Sequence, residues 1–308
     1  KSINDLPEGD VLVNVKYYSL NYKDALSATG NRGVTRNYPH TPGIDASGIV
    51  VSSNNPKFKE GDKVIITSYD LGMNTSGGFG QYIRVPSSWV VKLPEGLTLK
   101  DSMIYGTAGL TAALSLYKLE SAGLIPSEDE LLVTGATGGV GSMAVAILSR
   151  VGYTVVASTG KPDKREYLER LGAHAVISRD KVNDTSKIPL LGGRWGAVVD
   201  TVGGNTLATA IKSTKQWGSI AVCGLTQSME LNTTVFPFIL RGITLFGINT
   251  EHCPMQLRID LWHMMASAWK LPNLDTICTE CSLEEINDKI DLILKGKITG
   301  RVVINLDR

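Results

Sequence analysis

A run of small residues, Gly135-Ala136-Thr137-Gly138-Gly139-Val140-Gly141, follows an apolar stretch and precedes a helical pattern. Glycine backbones turn tightly and let a pyrophosphate reach main-chain N–H groups. A helix starting at that point adds partial positive charge. Read as G-x-x-G-x-x-G, all three glycines are present. Read as G-x-G-x-x-G, Ala136 replaces the first, with Gly138 and Gly141 in register. The alternative, a glycine-rich turn with no ligand, fits the strand-turn-helix context less well. Further on stands Ser158-Thr159-Gly160-Lys161. A site for NAD usually carries Asp or Glu here to hold the ribose 2′-hydroxyl. No carboxylate is present to repel a 2′-phosphate. Hydroxyls and Lys161 are available to bind one, with Lys164 and Arg165 close behind. These residues predict NADPH over NADH; the alternative for Lys161 is a solvated loop residue.

The elements around these residues fall into two patterns. From about 9 to 95 the chain reads as β-rich. Val11, Val13, Val15 and Tyr17 alternate as in a strand. Short apolar runs follow at Gly48–Val51, Lys63–Thr67, Tyr82–Val85 and Trp89–Leu93, bounded by turn residues such as Asn54-Asn55-Pro56. Many short strands suggest a barrel-like domain. After Pro94, Tyr105 to Leu119 reads as a helix. A strand at Glu130–Thr134, a helix carrying Val140, Met143, Ala144, Ile147, Leu148 and Val151, and a strand at Thr154–Ser158 come next. Pro162 opens a helix that Gly172 closes. Ala197–Asp200, Ser219–Cys223 and Thr244–Gly247 are further strands. This alternation indicates an α/β domain with a parallel sheet covered on both faces. A long helix follows Pro254. Ser282-Leu283-Glu284-Glu285 fits a capping box opening a helix with Ile286, Ile290, Ile293 and Leu294 on one face. Gly296 ends it, and Arg301–Leu306 is a last strand. The predicted domains are 103–250 for the nucleotide, and 1–102 with 251–308 for the barrel.

Composition narrows the function classes. The chain has 308 residues, 43% hydrophobic and 20% charged, enough for two cores. Thirty-one basic and 30 acidic residues leave a net charge of +1. Such a balance gives no pull toward nucleic acid or an anionic membrane. Apolar stretches such as Met143 to Leu148 stop at Arg150, too short for a transmembrane helix. The opening Lys1-Ser2-Ile3-Asn4-Asp5 is no signal peptide and lacks an initiator Met, so a truncated start is expected. Cys223, Cys253, Cys278 and Cys281 crowd into the last third without framework spacing, which predicts a reduced, cytoplasmic setting. Cys278-Thr279-Glu280-Cys281 is a lone C-x-x-C, weak evidence for metal because structural zinc takes about four ligands. His40, His174, His252 and His263 are scattered and read as ordinary surface or core residues. Asp45 and Asp200 lie near strand ends and read as structural, through turn and loop hydrogen bonds.

The whole pattern resembles the medium-chain dehydrogenase/reductase superfamily. Ser19-Leu20-Asn21-Tyr22-Lys23-Asp24, Pro42-Gly43-Ile44-Asp45-Ala46-Ser47-Gly48 and Thr134 to Gly141 look like its zinc-free quinone oxidoreductase branch. Cys223-Gly224-Leu225, Pro237-Phe238-Ile239-Leu240-Arg241 and Thr299-Gly300-Arg301 are similar to the acrylyl-CoA reductase subfamily. The resemblance implies an α/β fold: a Rossmann doubly wound parallel sheet plus a GroES-like β-barrel domain. It implies an NADPH site at Thr137, Gly138, Gly139, Val140, Thr159, Gly160, Lys161, Arg179, Leu225, Ile239 and Thr250. Zinc alcohol dehydrogenases of the superfamily place a cysteine ligand near Asn21 and a histidine near Ile44; neither type is present, so no metal is expected.

The implied reaction is reduction of the C=C bond of a short 2-enoyl-CoA such as acrylyl-CoA. It needs a hydride at the β-carbon, a donor to the carbonyl oxygen and a proton at the α-carbon. Asn21 and Tyr22 are neutral donors on the loop that resembles the family's active site. Asn21 is expected to orient the carbonyl. Tyr22 is expected to contact nicotinamide or substrate and to serve as a proton donor, with burial in the core as its alternative. Asp24 is expected to position Lys23 or Tyr22. Arg32 and Arg36 are candidates for the phosphates of a CoA tail. A quinone or enone reductase, and a non-catalytic NADPH-binding protein, are the competing functions. A homodimer acting on a small molecule is the expected assembly.

Overall fold

The computed structural model describes residues 2–127 and 129–308. In chain order the elements are β1 (Val11–Leu20), α1 (Tyr22–Ala28), β2 (Asp45–Ser53), β3 (Lys63–Thr67), β4 (Tyr82–Val85), β5 (Val90–Lys92) and α2 (Leu99–Ser121). Then come β6 (Glu130–Val133), α3 (Gly139–Val151), β7 (Thr154–Thr159), α4 (Arg165–Arg170), β8 (Ala175–Ser178), β9 (Trp195–Asp200), α5 (Gly204–Ser213) and β10 (Thr214–Val222). The chain continues with α6 (Phe236–Arg241), β11 (Thr244–Gly247), α7 (Met255–Ala266), β12 (Cys278–Cys281), α8 (Ile286–Leu294) and β13 (Arg301–Asn305). Two compact units result. One comprises Lys1–Leu110, Thr250–Ser267 and Pro272–Arg308; the other comprises Thr111–Asn249 and Ala268–Leu271.

The first unit is built on a seven-stranded sheet in the order β12-β13-β1-β2-β3-β5, with β4 also paired to β1. All pairings are antiparallel except β12 with β13. The alternation in β1 sends Val11, Val13 and Val15 into a core with Ala46, Ile66, Ile83 and Val85. Its far end packs Tyr18 and Leu20 against Ile286 and Ile290 of α8 and Val302 and Ile304 of β13. The last strand therefore completes the unit begun by the first, through Tyr17↔Asn305 to Leu20↔Val302.

This unit extends past the expected break at 102. The Ile104 carbonyl accepts a bond from Arg301 Nε (3.1 Å), and Thr107 is bonded to Asp45. Thr250 also belongs here, since its carbonyl accepts a bond from the buried Arg258. Helix α2 starts at Leu99, earlier than expected, and bends at Gly106. Helix α8 starts at Ile286 rather than Ser282. Glu285 does reach back to the Ser282 N–H (2.8 Å), but the residues between form a turn.

The second unit holds a six-stranded, all-parallel sheet in the order β11-β10-β9-β6-β7-β8. Its centre is continuous hydrocarbon: Leu132, Val156, Val198 and Ile220 are fully buried. Strands buried on both faces read as such runs. Helices α3, α4, α5 and α6 pack on this sheet. The strand order reverses between β6 and β9. At such a switch point the carboxyl ends of neighbouring strands diverge and leave a crevice for a ligand. Among the described residues, no helix is long and apolar enough to cross a membrane.

Candidate functional site

In the second unit the glycine-rich turn sits at that switch point, between the end of β6 and the start of α3. Asp200, at the end of β9, supports it. Its carboxylate accepts bonds from Thr134 Oγ1 (2.7 Å) and the Gly203 N–H (2.7 Å), and Thr201 Oγ1 donates to the Thr134 carbonyl (2.9 Å). Asp200 thus makes the turn bonds expected of it and one bond across the sheet. Gly141 lets α3 begin against the turn, since a Cβ there would lie 2.3 Å from the Gly135 carbonyl oxygen. No side chain caps α3. Its first-turn N–H groups have no partner within the helix and face the crevice end of the sheet.

Three segments converge beside the turn. The Ala136 N–H donates to the Ser158 carbonyl (3.0 Å), and Thr137 Oγ1 lies 3.2 Å from Thr159 Oγ1. Thr159 Oγ1 also accepts a bond from the Lys161 N–H (3.0 Å). Gly160 packs bare backbone against Arg179: a Cβ there would sit 3.0 Å from Arg179 Cδ and Nε. Burial, and Lys164 after it, hold the Lys161 ammonium below the usual lysine range. A crowded cationic corner of this kind favours an anion. The structure therefore gathers Thr137, Gly138, Gly139, Val140, Ser158, Thr159, Gly160, Lys161 and Arg179 in one place. Leu225 is exposed at the carboxyl end of β10, beside Gly203. Ile239 stands apart on α6. Arg241, two residues on, donates to the carbonyls of Lys212 and Thr214 at the opposite end of β10.

The first unit carries the polar cluster around Asn21, Tyr22 and Asp24. Tyr22 opens α1 and is 47% exposed, so it is not the core residue of the alternative reading. Asn21 differs from expectation. Its side-chain nitrogen donates to Asp45 Oδ2 (2.8 Å) and the Ser19 carbonyl (3.2 Å), and its oxygen accepts from Arg301 Nη1 (3.3 Å). The amide is turned inward with both N–H hydrogens engaged, so it offers no free donor to a substrate carbonyl. Asp24 does not hold Lys23, which bridges to Glu251 at 2.6 Å. Its buried carboxylate accepts the N–H groups of Asn21 (2.7 Å) and Ile44 (2.8 Å). Burial, and Asp45 after it, push Asp24 up to about 7. Thr250 is buried here too, and Arg32 and Arg36 are exposed.

Sequence reasoning missed the support beneath this cluster. Asp45 has no exposure and accepts bonds from Ser19 Oγ (2.6 Å), the Thr107 N–H (2.9 Å) and Thr107 Oγ1 (2.5 Å). These are long-range links, not the turn bonds expected of it. Arg301 Nη2 lies 3.9 Å from its carboxylate. The signal was present: Arg301 is a cation at the start of the apolar run Val302-Val303-Ile304.

Residues 7–95 match the family model described as Alcohol dehydrogenase GroES-like domain, and residues 139–267 match Zinc-binding dehydrogenase. The chain is 49% identical to Bacillus subtilis YhfP, named as a quinone oxidoreductase, over 99% of this chain and 93% of that one. It is 42% identical to the acrylyl-CoA reductase AcuI of Ruegeria pomeroyi, with the same coverages of 99% and 93%. The crystal structure of Escherichia coli YhdH with bound NADPH superposes with a TM-score of 0.96 at 40% identity, covering 99% and 94% of the two chains. That of B. subtilis yhfP with NAD bound gives 0.96 at 49%, covering 99% and 93%. The zinc that one family description implies does not fit these residues. Asn21 and Ile44 are not zinc ligands, and among the described residues no three His, Cys, Asp or Glu side chains are grouped to hold a metal. Cys278 and Cys281 belong to β12, and all four cysteines are free.

Proposed function

The chain belongs to the medium-chain dehydrogenase/reductase superfamily, in its quinone oxidoreductase branch, and from that premise we propose that it is an NADPH-dependent reductase of a short 2-enoyl-CoA such as acrylyl-CoA. The observation that carries the reading is Tyr22, 47% exposed at the first turn of α1 beside the inward-held Asn21 and Asp24. Similarity to a named acrylyl-CoA reductase supports the substrate, and the NADPH of E. coli YhdH supports the cofactor.

The nicotinamide, when bound, supplies the hydride for the β-carbon. The chain's own residues do the rest. The first turn of α3 and the glycine backbone receive the pyrophosphate. Lys161 and Arg179 hold the 2′-phosphate, and no carboxylate at the end of β7 opposes it. Tyr22 contacts nicotinamide or substrate and donates through its hydroxyl, stabilising charge on the thioester oxygen or delivering the proton to the α-carbon. Asn21 and Asp24 hold the turn. Arg32 and Arg36 are exposed cations suited to the CoA phosphates. The assembly proposed with this activity is a homodimer.

The test is NADPH consumption by the purified protein with and without acrylyl-CoA. Consumption that needs the enoyl thioester, and falls in Tyr22→Phe, is the expected result. Tight NADPH binding without turnover of any enone or quinone would make the protein a nucleotide binder instead.

A further inference from the structure

One buried carboxylate ties together four segments of the first unit. Asp45 of β2 bonds Ser19 of β1, Asn21 of the turn and Thr107 of α2, and faces Arg301 of β13. Helix α2 is broken to allow this. Gly106 adopts φ +50° and ψ −157°, which a side chain resists. A Cβ there would lie 2.4 Å from Ser19 Oγ and 2.6 Å from Asp45 Oδ2. The bend frees the Thr107 N–H from the helix ladder, and Asp45 receives both that N–H and the Thr107 hydroxyl. A carboxylate accepts from all these donors at once; an amide in its place would have to turn its nitrogen toward the Thr107 hydroxyl and would remove the charge that faces Arg301.

The link to the chemistry runs through Asn21. Asp45 holds its side chain, Arg301 holds its amide oxygen, and Asp24 holds its backbone N–H. The next residue is Tyr22, the exposed group of the cluster. Fixing both the side chain and the backbone of Asn21 fixes where the Tyr22 side chain starts.

We propose that Asp45 is a positioning residue: acting through Asn21, it sets the turn that presents the Tyr22 hydroxyl, with Arg301 and Gly106 keeping it in place. The proposal rests on the reductase reading above for its catalytic consequence. Its structural consequence stands without that reading.

Asp45→Asn tests it, in the full chain, with two readouts. The first is steady-state reduction of acrylyl-CoA by NADPH. Loss of alignment by about an ångström lowers turnover by about a hundredfold, so kcat should fall on that order while KM and NADPH affinity stay within about twofold. Asn21→Ala should lose a similar amount. The double variant should lose no more than either single one, because both cut the same link. The second readout is the 19F NMR resonance of a fluorotyrosine placed at Tyr22. It should be narrow in the parent chain and should broaden or split in Asp45→Asn. If Asp45→Asn does not fold, Ser19→Ala removes one of the donors to Asp45 and should show the same pattern more weakly. An unchanged resonance, a folded Asp45→Asn with parental kcat, or losses that multiply in the double variant would overturn the proposal. A parent chain that reduces no enone would overturn the reductase reading, with the 19F spectra still deciding the role of Asp45.

Discussion

Adding a single carbon at Gly106 should cost far more than adding one at a left-handed glycine with open space around it. Gly106 sits at φ +50° and ψ −157°, a backbone region that costs a non-glycine residue about 1–3 kcal/mol. Its new Cβ would also meet Ser19 Oγ at 2.4 Å, Asp45 Oδ2 at 2.6 Å and Arg301 Nη2 at 2.9 Å. Ser19 Oγ and Asp45 Oδ2 are buried and bonded to each other, and Arg301 Nη2 is buried beside them, so none can swing away cheaply. Displacing a buried donor from its acceptor costs about 1–3 kcal/mol. Gly106→Ala should therefore destabilise the protein by about 2–5 kcal/mol, allowing for overlap between the two effects. Gly61 is the control. It has φ +89° and nothing within 4 Å of a Cβ, so Gly61→Ala should show backbone strain alone, about 1–2 kcal/mol. Urea unfolding followed by far-UV circular dichroism measures both, with equal m-values expected. Equal destabilisation in the two variants would refute the claim that Gly106 is held by the Asp45 cluster.

Other outcomes follow from the same structure. Lys161→Ala should weaken NADPH binding by about tenfold, about 1.4 kcal/mol, and leave NADH binding unchanged in titration calorimetry; equal losses for both would mean that Lys161 does not hold the 2′-phosphate. Asp24 is raised from 3.8 to about 7, so the folded chain holds its proton more tightly than the unfolded one. Its contribution to stability is therefore fully present below the unfolded value and lost as pH rises through about 7. Urea unfolding across this window should show the parent losing stability relative to Asp24→Asn, by up to about 1.4 kcal/mol per pH unit, and a constant difference would contradict it. Dialysed protein should carry only trace zinc by elemental analysis; a stoichiometric amount would reopen the role of Cys278 and Cys281.

Much of the fold was legible because its signals are local. Strand alternation in β1, the apolar runs of β6 and β9, and the glycine turn before α3 each follow from periods and backbone freedom within a few residues. What escaped depends on neighbours remote in sequence. Strand β12 is short and polar, Cys278-Thr279-Glu280-Cys281, and is held as an edge strand by its register with β13. Its cysteines drew attention to metal chemistry instead. Strand β8 is equally short and pairs with β7 at one end of the sheet order. The candidate site divides the same way. The phosphate turn and the Lys161 segment could be read from residue types. The orientation of Asn21 could not, because Asp45 and Arg301, which turn its amide inward, lie on β2 and β13. Tyr22 was ambiguous between core and surface until α1 placed it at an exposed first turn.

The most direct test of the proposed activity is kcat/KM for acrylyl-CoA against that for a small quinone, with NADPH and the same enzyme preparation. A thioester is open to hydride at its β-carbon, and its CoA tail offers remote binding energy that can align the acyl group. The enoyl thioester should be turned over with the higher kcat/KM, and a truncated thioester should lose kcat as well as affinity. Faster turnover of the quinone, with acrylyl-CoA inert, would contradict the proposed substrate and assign the chain to quinone reduction.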